Sequence, residues 1–238
     1  MSLAEFLVII PAFDEQDSLP RVLANLSAAR MDCDVLVVDD GSTDGTAAIA
    51  REAGVQVISH GANRGYGAAL VTGYRHALAR GYRMLVQLDA DGQHDAAQIA
   101  LLLAPLRRDE ADVVIGSRML AGGGHATSVP RWLGIQVFAA LGRLLTGRGM
   151  TDPTSGFIAM NARAAAFLVD NTPPDYPDLN VLLALHRAGL RMLEVPVVMD
   201  ERHAGRSQMR GMALVLYVPR MLSYIWHVWN KTRPRGPG

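Results

Sequence analysis

Short, uninterrupted apolar runs alternate with amphipathic stretches along the first half of the chain. Residues 6–10 form such a run, which we expect to end at Pro11, and residues 18–30 carry apolar side chains at helical spacing. The same pattern predicts strands at 35–38, 55–59, 84–88 and 112–116, and helices at 43–53, 66–79 and 96–107. Strands that alternate with helices indicate βαβ units and a mostly parallel sheet covered on both faces.

The rhythm changes after Arg118. Residues 120–129 are rich in glycine and predict a mobile loop, whereas 156–160 and 191–198 predict strands and 132–145, 162–169 and 179–188 predict helices. A chain of 238 residues fits one large domain with a short appendage. We therefore expect an α/β catalytic domain over residues 1–210 and an apolar helical segment over 211–238.

Composition narrows the classes of function. The 23 basic and 23 acidic residues cancel, so no global basic field favours nucleic acid, and any anion must be met by a local cluster. The single cysteine, Cys33, excludes an intramolecular disulfide framework and a four-cysteine zinc site. The N-terminus lacks the features of a signal peptide, so the expected compartment is the cytoplasm.

Acidic motifs follow three of the predicted strands. Asp14-Glu15 follows the first, Asp39-Asp40 the second and Asp89-Ala90-Asp91 the fourth. Ligands of open α/β sheets bind outside the carboxyl ends of the strands, where all three motifs would lie. Asp89 and Asp91, with an oxygen from Gln93, suit a hard cation such as Mg²⁺ or Mn²⁺. The neighbouring His94 is expected to be a solvated loop residue rather than a metal ligand.

The ordered motifs together resemble family 2 glycosyltransferases with the GT-A fold, and within them the dolichol-phosphate mannosyltransferase and bacterial polyprenyl-phosphate glycosyltransferase branch. The resemblance covers roughly residues 5–210. It is carried by these segments: Pro11-Ala12-Phe13-Asp14-Glu15, Val38-Asp39-Asp40-Gly41-Ser42-Thr43-Asp44-Gly45-Thr46, Asn63-Arg64-Gly65-Tyr66-Gly67, Asp89-Ala90-Asp91-Gly92-Gln93-His94, Gly116-Ser117-Arg118 and Asp152-Pro153-Thr154-Ser155-Gly156-Phe157.

The resemblance also implies roles for single residues. Metal and diphosphate binding falls to the turn after the fourth strand, with Asp91 as the strongest metal candidate, and phosphate binding and catalysis fall to arginines. The residues implied to bind the nucleotide sugar are Pro11, Phe13, Glu15, Val38, Asp39, Asp40, Ala90, Arg131 and Arg206, those implied in catalysis are Asp91, Arg118 and Arg202, and those implied to hold the metal are Asp89, Asp91 and Gln93. Two positions depart from the family pattern: Asp14 stands where asparagine is usual, and Gln208 stands where a lysine is usual.

The expected reaction is a metal-dependent, inverting transfer of a sugar from a nucleotide-diphosphate donor to a polyprenyl phosphate. A lipid phosphate is already ionised near neutral pH and needs no general base, so arginines would serve it better. The alternative is a soluble or polysaccharide hydroxyl acceptor, which would need a carboxylate base such as Asp152 or Asp200-Glu201.

Functions from other classes fit the sequence less well. A nucleotidyltransferase would carry a glycine-rich loop with a lysine after the first strand, and a dinucleotide oxidoreductase would carry GxGxxG there; neither motif is present. A binding module without catalysis would tolerate the loss of Asp91.

Residues 212–229 are strongly apolar but carry Pro219 and Arg220 near the middle, which disfavours a membrane span. We expect an interfacial helix pair and a peripheral position on the cytoplasmic face of the membrane. The rival is an amphipathic helix that covers the domain core or a homo-oligomer interface.

Overall fold

The computed structural model describes residues 4–120, 151–173 and 179–199. Their strands are β1 (Phe6–Ala12), β2 (Cys33–Asp39), β3 (Gln56–Ser59), β4 (Met84–Gln87), β5 (Val113–Ser117), β6 (Ile158–Asn161) and β7 (Met192–Pro196). Their helices are α1 (Leu19–Ala28), α2 (Thr46–Glu52), α3 (Tyr66–Arg80), α4 (Ile99–Arg107), α5 (Ala162–Asn171) and α6 (Leu179–Arg187), with a 3₁₀ turn at Ala96–Gln98 before α4.

The strands form one sheet in the order β3-β2-β1-β4-β6-β5-β7. All neighbours are parallel except β6, which runs antiparallel to both β4 and β5. The carboxyl ends of β2, β1, β4 and β5 therefore meet at one edge of the sheet, and β6 begins at that edge. The acidic turns after β1, β2 and β4 lie side by side there, as the motif positions predicted.

Helices cover both faces of the sheet, which explains why the central strands are apolar on both sides. All seven side chains of β1 are buried. One face packs against α1 and α4 through residues such as Leu23 and Leu102, and the other packs against α3, α5 and α6 through residues such as Leu70, Leu168 and Leu185. The predicted α/β fold class is confirmed.

Two predicted boundaries are wrong for identifiable reasons. β1 continues through Pro11 to Ala12. The backbone groups of Ile9 and Pro11 face the same neighbouring strand, β4. The Ile9 carbonyl accepts the last hydrogen bond between these strands, from the Leu88 N–H. Pro11 therefore lies beyond the end of β4, and its missing N–H costs no hydrogen bond. Helix α2 begins at Thr46 rather than at residue 43, because the segment before it is held by side-chain bonds to the turn after β1.

Several predictions fall outside the described residues: the loop at 120–129 apart from its first residue, the helix at 132–145, the segment at 211–238, and the candidate phosphate ligands Arg131, Arg202 and Arg206. Within the described ranges, no helix combines the length and hydropathy that a bilayer crossing requires.

Candidate active site

The turns after β1 and β2 are fastened to each other. Asp14, at a φ of +52°, donates its N–H to Ser42 Oγ at 3.0 Å and accepts from the Thr43 N–H at 2.8 Å. Asparagine and aspartate tolerate this left-handed backbone, so the departure from the usual asparagine keeps the turn intact. Glu15 adds a bond from its N–H to Thr46 Oγ1 at 2.8 Å.

A reciprocal pair extends this connection. The Gln16 N–H donates to Asp44 Oδ2 at 3.2 Å, and the Gly45 N–H donates to Gln16 Oε1 at 2.9 Å. Burial raises the pKa of Asp44, but bonds from Thr46 and Gln16 outweigh it, so the pKa lies below its ordinary value. The two turns therefore form one rigid unit that holds Phe13 and Glu15 beside Asp39 and Asp40.

The paired aspartates after β2 differ in their surroundings. Both are buried, and Asp39 Oδ1 accepts from the Ser42 N–H at 3.0 Å. Both oxygens of Asp40 have partners. Oδ1 lies 2.6 Å from His60 Nδ1 and accepts from the Arg64 backbone N–H at 3.0 Å, and Oδ2 accepts from the Gly65 N–H at 2.8 Å. Asp40 thus fixes the loop before α3.

Val38, the other residue of this motif, is fully buried in the core beneath the turn. Only its main chain can face a ligand at the sheet edge. The turn itself approaches the neighbouring loop closely at Gly41, whose φ is +77° and where a Cβ would lie 2.5 Å from the carbonyl carbon of Ala62.

Asp89 stands at the turn after β4, with its side chain 31% exposed. Its Oδ1 accepts from the Tyr66 hydroxyl at 2.7 Å, and its Oδ2 lies 3.4 Å from His94 Nε2. Gly156 passes so close that a Cβ there would lie 2.3 Å from Oδ2. The segment that leads into β6 therefore packs directly against this carboxylate.

A chain of hydrogen bonds runs behind Asp89. The Tyr74 hydroxyl donates to Gln87 Oε1 at 2.7 Å, Gln87 Nε2 donates to the Tyr66 oxygen at 3.2 Å, and Tyr66 donates to Asp89. Sequence reasoning missed this chain. The available signal was the spacing of Tyr66 and Tyr74, eight residues apart on one face of a helix and close to the polar Gln87 of an otherwise apolar strand.

The rest of the motif is more enclosed. Asp91 is 3% exposed and its Oδ1 accepts from the Gln93 N–H at 3.1 Å, while Ala90 is buried in the core. No group of three histidine, cysteine or acidic residues within the described ranges could hold a metal. Two carboxylates and an amide oxygen nevertheless suit a hard cation that takes its remaining ligands from phosphates and water, so the donor set fits Mg²⁺ or Mn²⁺.

The expectation that His94 is a solvated loop residue is wrong. The residue is 8% exposed and its ring stacks on Phe157 with centroids 4.9 Å apart. Its Nδ1 is buried and has no hydrogen-bond partner among the residues that the structure describes. His94 is therefore packed between the acidic turn and the segment before β6 instead of being solvated.

Arg118 follows β5 and is held by a carboxylate from the segment before β6. Its Nε and Nη2 donate to the two oxygens of Asp152 at 2.7 and 2.8 Å, and Asp152 is 0% exposed. The N–H groups of Thr151 and Asp152 donate in turn to Glu194 of β7 at 2.8 Å each. Glu194 thus holds the backbone that carries Asp152, and Asp152 fixes the guanidinium of Arg118.

The charge on Arg118 is secure. Burial lowers its pKa, but the bond to Asp152 and the nearby charges of Asp152, Asp89 and Asp91 outweigh burial and leave the pKa raised. The segment that supplies Asp152 to Arg118 also brings Gly156 against Asp89. The structure therefore brings the candidates Asp89, Asp91 and Arg118 together at one edge of the sheet.

Comparisons with known proteins agree with this geometry. The model of the family described as Glycosyl transferase family 2 matches residues 7–167. An undecaprenyl-phosphate mannosyltransferase from Micrococcus luteus is 36% identical over 218 residues, which cover 86% of this chain and 87% of that protein. A polyprenol monophosphomannose synthase from Mycolicibacterium smegmatis is 34% identical over 216 residues, covering 86% of this chain and 81% of that protein.

A solved structure shares the fold. Glucosyl-3-phosphoglycerate synthase from Mycobacterium tuberculosis, in complex with Mn²⁺, UDP and phosphoglyceric acid, gives a TM-score of 0.69 at 23% identity. The likeness covers 94% of this chain and 78% of that chain.

Proposed function

Because the chain belongs to glycosyl transferase family 2, and is therefore a glycosyltransferase, we propose that it transfers a sugar from a nucleotide-diphosphate donor to a polyprenyl phosphate with inversion at the anomeric carbon. The observation that carries this proposal is that one segment before β6 contacts both halves of the site: Asp152 pairs with Arg118 at 2.7 and 2.8 Å, and Gly156 lies against Asp89. A fixed positive charge beside a pair of carboxylates supports a site for transfer between two phosphate-bearing molecules.

The donor half of the site is the fastened pair of turns after β1 and β2. Asp39 is the better candidate for a nucleoside contact, because both oxygens of Asp40 are already engaged by the loop before α3. Pro11, Phe13 and Glu15 would border the same space. Because the two turns are already fastened to each other, they would bind a nucleoside with little cost for ordering the loop.

Asp89, Asp91 and Gln93 would hold the cation on the donor diphosphate. A bound Mg²⁺ or Mn²⁺ would supply electrostatic stabilisation of the charge that gathers on the departing nucleoside diphosphate. Tyr66 and Gly156 keep Asp89 in place for this task. Arg118 adds a fixed positive charge for the donor or acceptor phosphate, and Arg131, Arg202 and Arg206 are proposed to add more.

The inference about the acceptor rests on the surroundings of Asp152, one of the candidate bases. A hydroxyl acceptor needs a base to take its proton, and Asp152 was one candidate. In the structure this residue is 0% exposed and both of its oxygens accept from the Arg118 guanidinium. We infer that it positions an arginine instead of acting as a base, an arrangement that suits an acceptor already ionised, such as a lipid phosphate. The other candidate base, Asp200-Glu201, lies outside the described residues.

Both named relatives act on polyprenyl substrates, which supports the same acceptor class and makes mannose the first sugar to test. A lipid acceptor requires contact with a bilayer. We accordingly propose a peripheral position on the cytoplasmic face of the membrane, with residues 211–238 as the contacting segment.

The test is a transfer assay with undecaprenyl phosphate in detergent micelles. GDP-mannose, UDP-glucose and UDP-N-acetylglucosamine are supplied separately with Mn²⁺ or Mg²⁺, and the anomer of the product is determined by NMR. We expect one donor to give a glycolipid with the inverted anomeric configuration, and we expect no glycolipid after chelation of the metal. Transfer only to a soluble hydroxyl compound, or retention of configuration, would contradict the proposal.

Two variants make the assay specific to the acidic turn. Asp91→Asn removes one charge from the proposed metal site and should abolish metal-dependent turnover. Asp95→Asn makes the same chemical change four residues later, where the side chain caps the 3₁₀ turn by accepting from the Ala97 N–H. Asparagine caps equally well, so this control should retain activity.

A further inference from the structure

We propose that Tyr66, backed by Gln87 and Tyr74, is a positioning residue that fixes the carboxylate of Asp89 for its cation. The inference deepens the proposed function, because it assigns a role to groups that surround the same acidic turn. Tyr66 lies in one of the segments that carry the family resemblance but was given no role there, and Gln87 and Tyr74 lie in none of them. None of the three is placed among the cation's own ligands.

The direction of every hydrogen bond in the chain follows from its end. A carboxylate at neutral pH only accepts, so the single hydroxyl proton of Tyr66 must point to Asp89 Oδ1. The Tyr66 oxygen then accepts from Gln87 Nε2, which turns Gln87 Oε1 toward the Tyr74 hydroxyl. Burial raises the pKa of Tyr74 above its ordinary value of 10.0, so this hydroxyl keeps its proton and donates. Each donor in the chain thus has one acceptor.

The chain is anchored on rigid elements. Tyr66 is the first residue of α3, Tyr74 lies on the same helix, and Gln87 is the last residue of β4. Asp89 lies two residues beyond that strand and is partly exposed, so the sheet does not fix its side chain. The Tyr66 hydroxyl contacts one of its oxygens, and His94 and the backbone at Gly156 lie against the other, so these groups restrict it instead.

Groups that orient a metal ligand from behind change affinity without touching the ion. Removal of such a partner typically weakens metal binding or activity by ~10–100-fold. Tyr66→Phe keeps the aromatic ring in its packing and removes only the hydroxyl. We expect ~10-fold weaker Mn²⁺ binding, because Asp89 stays in the site but samples other orientations.

The matched control is Tyr82→Phe. Tyr82 is buried, whereas Tyr66 is half-buried, and Tyr82 likewise donates its hydroxyl to a carboxylate, that of Asp34. It follows the carboxyl end of α3 and precedes β4, which places it at the opposite edge of the sheet from the acidic turn. Its loss should lower thermal stability by an amount similar to that of Tyr66→Phe and leave Mn²⁺ affinity unchanged.

The experiment measures Mn²⁺ binding to the full chain by electron paramagnetic resonance, without donor or acceptor, alongside thermal unfolding without metal. Tyr74→Phe provides a third variant: it frees Gln87 to reverse its amide, so Mn²⁺ affinity should fall, but less than in Tyr66→Phe. Equal Mn²⁺ affinity in wild type and Tyr66→Phe would overturn the proposal, as would no Mn²⁺ binding by wild type at millimolar concentrations. An equal loss in Tyr82→Phe would also overturn it.

The transfer assay separates this inference from the proposed function. A wild type that forms the glycolipid, with unchanged metal affinity in Tyr66→Phe, refutes the positioning role alone. A wild type that forms no glycolipid, with Mn²⁺ affinity weakened only in Tyr66→Phe and Tyr74→Phe, refutes the lipid acceptor and supports the positioning role.

Discussion

The close approach of Gly156 to Asp89 gives the sharpest test of the acidic turn. A Cβ at residue 156 would lie 2.3 Å from Asp89 Oδ2 and 2.8 Å from its other carboxylate atoms. Ordinary contacts begin near 3.4 Å, so in Gly156→Ala the carboxylate must move by about 1 Å. The charge, the backbone and every other site residue would be unchanged.

The expected magnitude follows from that displacement. A misplacement of ~1 Å in a reacting arrangement costs ~100-fold in rate, which corresponds to about 2.7 kcal/mol of transition-state stabilisation. Stability should change little, because the group that moves is the end of a partly exposed side chain and alanine restricts the unfolded chain. Gly156→Ala should therefore fold normally and lose kcat/KM.

Gly81→Ala is the matched control. Gly81 follows the last residue of α3 and precedes β4, at the opposite edge of the sheet from the acidic turn, and its φ is +84°. A residue with a Cβ in this left-handed conformation costs ~1–2 kcal/mol of stability. We expect a lowered midpoint of thermal unfolding with unchanged kcat/KM per folded molecule.

Calorimetry and the transfer assay on both variants decide the matter. The reasoning fails if Gly156→Ala keeps full activity, since Asp89 would then tolerate the displacement. It fails equally if Gly156→Ala loses activity only in proportion to unfolded protein, as Gly81→Ala would at elevated temperature.

Three further perturbations test other parts of the structure. Asp152→Asn leaves Arg118 buried without a full counter-charge and should destabilise the protein by ~3–5 kcal/mol, measured by chemical denaturation; a loss below ~1 kcal/mol would show that the pair is dispensable. Burial raises the pKa of Asp112, but bonds from Arg191 and Asn161 outweigh it and leave the pKa below its ordinary value of 3.8. The stabilisation by ionised Asp112 is therefore fully present above about pH 4 and is lost as pH falls through the lower pKa of the folded state. Asp112→Asn should therefore make the free energy of unfolding less dependent on pH at acid pH. An unchanged dependence would contradict the assignment. Gly41→Ala forces a left-handed residue against the neighbouring loop backbone and should lower both thermal stability and donor affinity, measured by calorimetry and nucleotide titration; unchanged values would mean that the two loops separate at no cost.

Much of the fold is encoded in short segments and was predicted from them. Each apolar run and each amphipathic stretch reports on its own burial, so strands and helices such as α1 and β2 were located within a few residues. The side-by-side acidic turns followed from the rule that parallel strands end at a common edge. Errors arose where one residue depended on a distant one, as at Pro11.

The remaining features depend on contacts that no local pattern reports. Nothing in the apolar run at 156–160 indicates that β6 reverses direction and enters between β4 and β5. The pairing of Arg118 with Asp152 and the bond from Tyr66 to Asp89 each join residues far apart in sequence. The roles of Arg131, Arg202 and Arg206, which lie outside the described residues, stay predictions.

The reversed direction of β6 also bears on how this architecture can diversify. The chain departs from the sheet after β5 and comes back before β6 at the same place, where Ser117 Oγ and Thr151 Oγ1 lie 2.6 Å apart. The stretch between Ser117 and Thr151 can then be lengthened, shortened or exchanged while these two residues stay in contact. A family built in this way can vary one insert and leave the acidic turns after β1, β2 and β4 in place.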